Sequence, residues 1–294
     1  MNRIYALCGV SKQGFHKHLE REIRCKEEQL QLLVIINQLR KDHPRLSSRE
    51  MYLIIKPKTM GRDKFEHYCF HYGLKVPRHR SYIKTTDSRG VNRFPNLLLE
   101  IEQITAVNQV FVSDITYFRL IEEMWYLTFI EDLYSRYIVG YAASTSLCTN
   151  ETTVVALNMA KKVRKRNLFD GTILHSDAGG QFYSKEFLSL TSKLKIRNSM
   201  CENVYGNAHV ERVNGILKND YLIPYNPTNP KELFTMLEKA VYLYNNQRPH
   251  KSLGRHTPAA FEESTRSGKI QKTWKIYKNT SKKTLKQVNI SIGD

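Results

Sequence analysis

No run of apolar residues approaches the ~18 that a membrane-spanning helix needs, so no span is expected in these 294 residues. The opening stretch, MNRIYALCGVSKQGFHKH, lacks an apolar signal core, which points to the cytoplasm. Cysteine is sparse. Cys8, Cys25, Cys69, Cys148 and Cys201 are scattered, odd in number and never spaced Cys-x-x-Cys, so neither a disulfide framework nor a zinc clip is indicated. His67, Cys69 and His71 lie close together, but a structural zinc wants four ligands and no fourth is evident nearby. No sustained heptad repeat marks a coiled coil. Acid is the largest shortage: Asp and Glu number 28 against 46 Lys and Arg, a formal charge of +18. Such an excess repels itself in the compact state and implies a polyanionic partner, DNA or RNA first and an anionic membrane second.

What is present suffices for a packed core. Apolar residues make up 41% and aromatics 11%, and the length suits one sizeable domain with smaller attachments, or two domains. Residues 1–43 are expected to be helical. In KEEQLQLLVIINQLRKDH an apolar stripe of Leu30, Leu33, Ile36 and Leu39 recurs at helical spacing, and the helix should stop at His43-Pro44. Upstream, Ser11 is a candidate N-cap for a short helix over KQGFHKHLE. Residues 44–80 suggest two more short helices. Ser47 or Ser48 would cap the first; Asp63, with Glu66 as capping-box partner, would cap the second, and Gly73 would end it. From Arg40 through Arg89 there are 13 basic and 5 acidic residues, which suits a helix-turn-helix-like DNA reader. A solvated helical pair is the plain alternative. Residues 81–105, polar, basic and interrupted by Pro95, are expected to be a linker or an extended arm.

The periodicity changes after residue 106. QVFVSDITYFRL, MWYLTFI and YIVGY are three strand candidates in succession. A helix follows over 150–166 with Val154, Val155, Leu157, Met159 and Val163 as its apolar members, then a strand at GTILHS and a helix over 184–195. That order implies a mixed α/β sheet. Another helix is expected over 231–247, and a turn at Pro249, where Arg248 and His250 either touch DNA or pin the turn. From Arg266 to the end there are eight basic residues and one acid; Trp274 and Tyr277, interleaved there, can stack on bases or bury locally.

Three carboxylates stand out. Asp114 sits mid-strand, where aspartate is depleted. Asp177 follows the end of a strand and precedes Gly179 and Gly180, which leave room for close backbone approach. Glu211 sits on a helix that Val210, Val213, Leu217 and Tyr221 would bury, with Asn214 and Lys218, both candidate DNA contacts, along the adjacent polar ridge. Carboxylates from separate elements can hold two Mg²⁺ or Mn²⁺ ions, which would activate a nucleophile and stabilise the leaving oxygen in phosphodiester chemistry. Glu131, Asp132 and Glu202 are competing candidates, and each carboxylate taken alone is compatible with a structural or solvated role.

In these contexts the three residues resemble the DDE triad of retroviral-integrase-type transposases, in particular the second-frame catalytic protein of two-frame bacterial insertion sequences. The likeness rests on VSDITY, DLYSRYIVGY, LHSDAGGQF, NAHVERVNGILK and YNNQRPHKSLGRHTPAAF, in that order, and more weakly on HPRLSSREMY with HYGLKVPRHR. It covers residues 40–262. The resemblance implies a ribonuclease-H-like integrase core with a mixed sheet over 106–262, preceded by the small helix-turn-helix-like region and followed by a basic tail over 263–294. It further implies two divalent ions held by Asp114, Asp177 and Glu211, a DNA contact at Lys218, element-end and target DNA as partners, homo-oligomers, and possible dependence on a leading-frame protein. The protein would act in the bacterial cytoplasm, associated with the nucleoid. Thirty-three residues lie between Asp177 and Glu211, slightly fewer than the family pattern has, the shortening falling in SMCENVYGN. Two rival readings are a nuclease of the same fold acting on hybrids and a non-catalytic DNA-binding remnant.

Overall fold

The computed structural model describes Gly9 and residues 11–77, 94–177, 179–200, 208–279 and 287–289. The chain divides into two compact units, Met1–Pro77 and Arg78–Asp294.

Among the described residues the first unit has three helices: α1 (Lys12–Asp42), α2 (Ser48–Ile55) and α3 (Arg62–His71). Ser11 caps α1 by accepting from the Gly14 amide, and the helix runs without a break through both segments that the sequence separates. It ends before Pro44, as expected. Ser47 and Glu50 form a reciprocal capping box on α2. Two expectations need correction. Gly61, not Asp63, occupies the N-cap of α3, and Glu66 pairs with Arg49 at 2.8 Å instead of capping. On α1 the buried residues are Leu32 and Ile36, one turn apart, whereas Leu30 is exposed. They meet Leu46, Met51, Phe65, Tyr68 and Cys69 in the unit's core. Gly73 takes the left-handed backbone (φ 65°) that ends α3.

The second unit is built on a five-stranded sheet. A short strand β1 (Gln103–Ile104) precedes β2 (Val110–Leu120), β3 (Glu123–Asp132) and β4 (Ile138–Ser144). Helix α4 (Thr153–Arg164) leads to β5 (Ile173–Ser176), and α5 (Lys185–Lys193) to β6 (Arg197–Met200). The sheet order is β4-β3-β2-β5-β6, antiparallel among β2, β3 and β4 and parallel from β2 through β5 to β6. This is the expected mixed α/β sheet, with β6 as an edge strand that its polar sequence, RNSM, did not announce.

Helix α6 begins at Ala208–Gly215 and continues through a π-helical stretch, Ile216–Leu222, into a last turn at Ile223–Tyr225. Helix α7 is Pro230–Asn246 and α8 Pro258–Arg266. Val213, Leu217 and Tyr221 of α6 and Leu233, Leu237, Ala240 and Tyr244 of α7 cover one face of the sheet, against Phe118, Leu127 and Phe129. On the other face lie Ala156, Leu157 and Ala160 of α4 and Phe187 of α5, with Phe111, Ile130 and Val139. Burial on α4 falls to these small residues; Val155 and Val163, expected inside, are exposed.

The ends of the second unit differ from the linker-and-tail expectation. Leu97, Leu98 and Ile104 are buried, so core packing begins before residue 106. β1 pairs with β7 (Trp274–Lys275), and Trp274 buries locally, donating from Nε1 to the Tyr134 carbonyl at 2.8 Å. β8 (Tyr277–Asn279) and β9 (Gln287–Asn289) form a separate hairpin pair. Among the described residues no helix is long and apolar enough to cross a membrane.

Candidate active site

Three elements carry the carboxylates to one side of the sheet. Asp114 lies in the middle of β2, the central strand, opposite Phe129 of β3. Asp177 follows the last residue of β5, and Ser113 of β2 pairs with Ser176 in parallel register, so one residue further along each strand stands a carboxylate. Glu211 is on the first turn of α6. Burial of Val210, Val213, Leu217 and Tyr221 fixes the helix's roll, as their spacing predicted. The adjacent ridge then meets β2. Asn214 Nδ2 donates to Asp114 Oδ2 at 2.7 Å, and Lys218 Nζ reaches Thr116 Oγ1 and the Tyr117 carbonyl, each at 3.3 Å.

All three carboxyls are raised, and burial is the largest cause at each. Burial pushes Asp114 up to about 7; the charges of Asp177 and Glu211 push the same way, opposed by hydrogen bonds from the Ile115 amide and Asn214. Burial raises Asp177 too, opposed by the Gly179 amide, which donates to its Oδ1 at 3.1 Å. Glu211 is raised by burial as well, though the residue as a whole stands exposed. Burial lowers the Lys218 ammonium, partly offset by the charge of Asp114. Asp114 is therefore the shared member, within the field of both other carboxylates. Among the described residues no three His, Cys, Asp or Glu side chains converge tightly enough to ligate one ion. The donors are hard oxygens of the kind Mg²⁺ takes.

The competing carboxylates go elsewhere. Asp132 is fully buried and accepts from the Asn108 and Tyr134 amides at 2.7 and 3.0 Å and from Arg164 at 3.0 Å. Arg164 also grips Glu262 through both terminal nitrogens, at 2.7 and 2.6 Å, and Ser135 donates to that glutamate. Glu131 is buried beside the charges of Arg136 and Arg212. Glu202 lies outside the described residues, as do residues 201–207 of the shortened interval. Arg248 and His250 turn inward. Arg248 bonds Asp220 at 2.9 Å, and His250 stacks edge-on with Tyr244, its ring held down to about 3 by burial and by neighbouring arginines. Both of these contacts are internal to the unit. Gly179 leaves space that Asp177 itself uses: a Cβ there would sit 3.0 Å from its Oδ1. The Asp132–Arg164–Glu262–Ser135 network and the Arg136–His209 contact were not foreseen. The available signal was charge inside an apolar run, FIEDLYSRYIVGY, which has to be paired when buried.

Known proteins fall in line with this architecture. Integrase core domain families match residues 104–204 and 193–258. A Shigella sonnei protein, the insertion element IS600 uncharacterized 31 kDa protein, is 32% identical over 270 residues, covering 87% of this chain and 96% of that protein. The chain belongs to the insertion-sequence transposases with an integrase core. The transposase for element IS904 of Lactococcus lactis is 30% identical over 58% of this chain and 67% of its own length. The transposase for element IS629 of Shigella sonnei is 34% identical, and the match spans about half of each protein, 53% and 52%. Among solved structures, the HTLV-2 integrase catalytic core domain in complex with magnesium is 23% identical, with a TM-score of 0.43, over 53% of this chain and 96% of that one. The sheet and its helices are thus the integrase core of an insertion-sequence transposase, a family in the class of polynucleotidyl transferases.

Proposed function

We propose that this transposase cuts DNA at the ends of its insertion sequence and joins the freed 3′ ends to target DNA, with Asp114, Asp177 and Glu211 as its catalytic carboxylates. One observation carries the reading: Asp114 feels the charge of both Asp177 and Glu211 while Asn214 and Lys218 approach from the Glu211 helix. Asp114, Asp177 and Glu211 would hold the divalent ions, two Mg²⁺ or Mn²⁺ by the family resemblance. When bound, they would supply activation of the attacking oxygen and stabilisation of the leaving one. Asn214 orients the Asp114 carboxylate. Lys218, half-covered and next to Asp114, offers an ammonium to a backbone phosphate. The helical first unit would read the element ends, and a leading-frame partner and self-association would complete the assembly near the nucleoid.

Asp114→Asn, Asp177→Asn and Glu211→Gln each remove a charge and keep the shape. Each should lower Mg²⁺-dependent cleavage of a labelled element end roughly a thousand-fold or more, the several kcal/mol that a catalytic ion supplies. Binding of the same duplex should persist. Cleavage retained in any one variant would remove that residue from the site. A second reading is a DNA-binding protein that no longer cuts. The absence of a tight three-ligand group among the described residues favours it, and calorimetric titration with Mg²⁺ that gives no heat while DNA binding stays intact would establish it.

A further inference from the structure

The first turn of α6 must hold Glu211, and its described polar tether comes from an unexpected place. Arg136 follows β3 in a tight turn, with a left-handed backbone (φ 62°) that side-chain-bearing residues seldom adopt. Its amide donates to the Asp132 carbonyl at 2.8 Å. Its guanidinium is buried, 4% of the residue exposed, with Cζ 5.5 Å from the centre of the Trp274 ring. From there Nη1 lies 3.0 Å from Nδ1 of His209, two residues before Glu211. A guanidinium only donates, so Nδ1 is the acceptor.

Glu131, the neighbouring buried carboxyl, acts on this arginine through its charge but does not take up all its hydrogen bonds. Glu131 Oε2 and Arg136 Nη2 each have no hydrogen-bond partner among the described residues. A pair serving stability alone gains most by closing on itself. This one leaves atoms unmet while the arginine reaches to the helix. On the apolar side, Val210, adjacent to Glu211, packs in one cluster with Leu253, Phe261, Trp274 and Ile276. The first turn of α6 is thus clamped between Arg136 and a cluster that contains the C-terminal segment.

We propose that Arg136 is a positioning residue: through His209, and under Trp274, it sets where the Glu211 carboxylate stands relative to Asp114. The proposal rests on the catalytic reading of Glu211. It makes the segment at 274–276 part of the catalytic apparatus, not merely a basic appendage.

His209 is half-exposed, so its variants leave the core intact and test the tether. His209→Ala should slow Mg²⁺-dependent cleavage of a labelled duplex of the element's flanking DNA about 10- to 100-fold, the usual effect of losing a group that orients a metal ligand. The Mg²⁺ concentration for half-maximal rate should rise, DNA affinity should not change, and amide exchange in 208–215 should quicken while 230–246 stays protected. His209→Asn, whose amide oxygen can stand where Nδ1 stood, should recover most of the rate; Arg136→Gln should match His209→Ala. Wild-type cleavage rate, metal dependence and amide exchange in His209→Ala would overturn the proposal. If the wild-type protein binds the duplex and never cuts it, the catalytic reading fails instead, and amide exchange alone decides whether the tether exists.

Discussion

A single buried glutamate gives this protein a measurable pH dependence away from its chemistry. Glu131 is 1% exposed, and burial raises its carboxyl from an ordinary 4.5 to about 7; Asp132 beside it adds to the rise, while Arg136 and Arg212 oppose it. Between those two values the folded protein keeps a proton that the unfolded chain has already released. Stability contributed by this group is therefore fully present below about 4.5 and is lost as pH rises toward about 7. Glu131→Gln, neutral throughout, should flatten the fall in urea midpoint across that window. Curves for variant and wild type that stay parallel from pH 4.5 to 7 would mean that the carboxyl is charged throughout. Asp132, raised from 3.8 to about 6 chiefly by burial, leaves a slope of its own over that lower window in both proteins.

At the scale of elements, what the sequence announced was what local physics decides. β2 and β3 were visible because β-branched and aromatic residues crowd them, and α6 and α7 because Val210, Val213, Leu217 and Tyr221 on one and Leu233, Leu237, Ala240, Val241 and Tyr244 on the other recur at helical spacing and are buried. The Asp114–Asn214–Lys218 alignment followed from that helical roll, and the motifs around it carried the family. What stayed hidden depended on partners far along the chain. The α4 interface is the clearest case: Val155 and Val163 look like core residues, yet the sheet takes the small face of Ala156 and Ala160 because Gly140 lets the helix lie close on β4. A Cβ at Gly140 would fall 2.1 Å from the Ala156 carbonyl oxygen and 3.2 Å from the Ala160 amide nitrogen. Gly140→Ala cannot be absorbed by a side-chain rotation, since the obstacles are backbone. It should destabilise by about 3 kcal/mol, the upper end of overpacking costs, read as a lowered urea midpoint; an unchanged midpoint would mean that α4 sits farther from the sheet. The π stretch at Ile216–Leu222 was equally invisible, having no composition of its own. Such insertions are frequent at functional sites, and this one contains Lys218.

The whole molecule contains two hydrophobic cores of unequal size, and their unfolding should not coincide. Leu32, Ile36, Leu46, Met51, Phe65, Tyr68 and Cys69 hold the first unit together, whereas three larger clusters hold the second. Much of the 31-residue α1 buries little: Phe15, Leu19, Ile23, Leu30 and Val34 are all exposed. A helix stabilised over so little of its length depends on weak local propensity for the rest, and a small core leaves a thin margin over chain entropy. The first unit should therefore lose structure at lower denaturant than the second. The chain has its own reporters for this, because both tryptophans, Trp125 and Trp274, belong to the second unit, while the three helices of the first weigh heavily in far-ultraviolet circular dichroism. In a urea titration the dichroism should fall by a distinct early step with tryptophan fluorescence still native-like, followed by a second step seen by both. Superimposable transitions would show that the units unfold as one. Adding DNA that engages the first unit should move only the early step to higher urea, since a ligand stabilises the fold to which it binds. DNA that shifts only the fluorescence transition would assign end recognition to the integrase core, leaving the helical unit without that role.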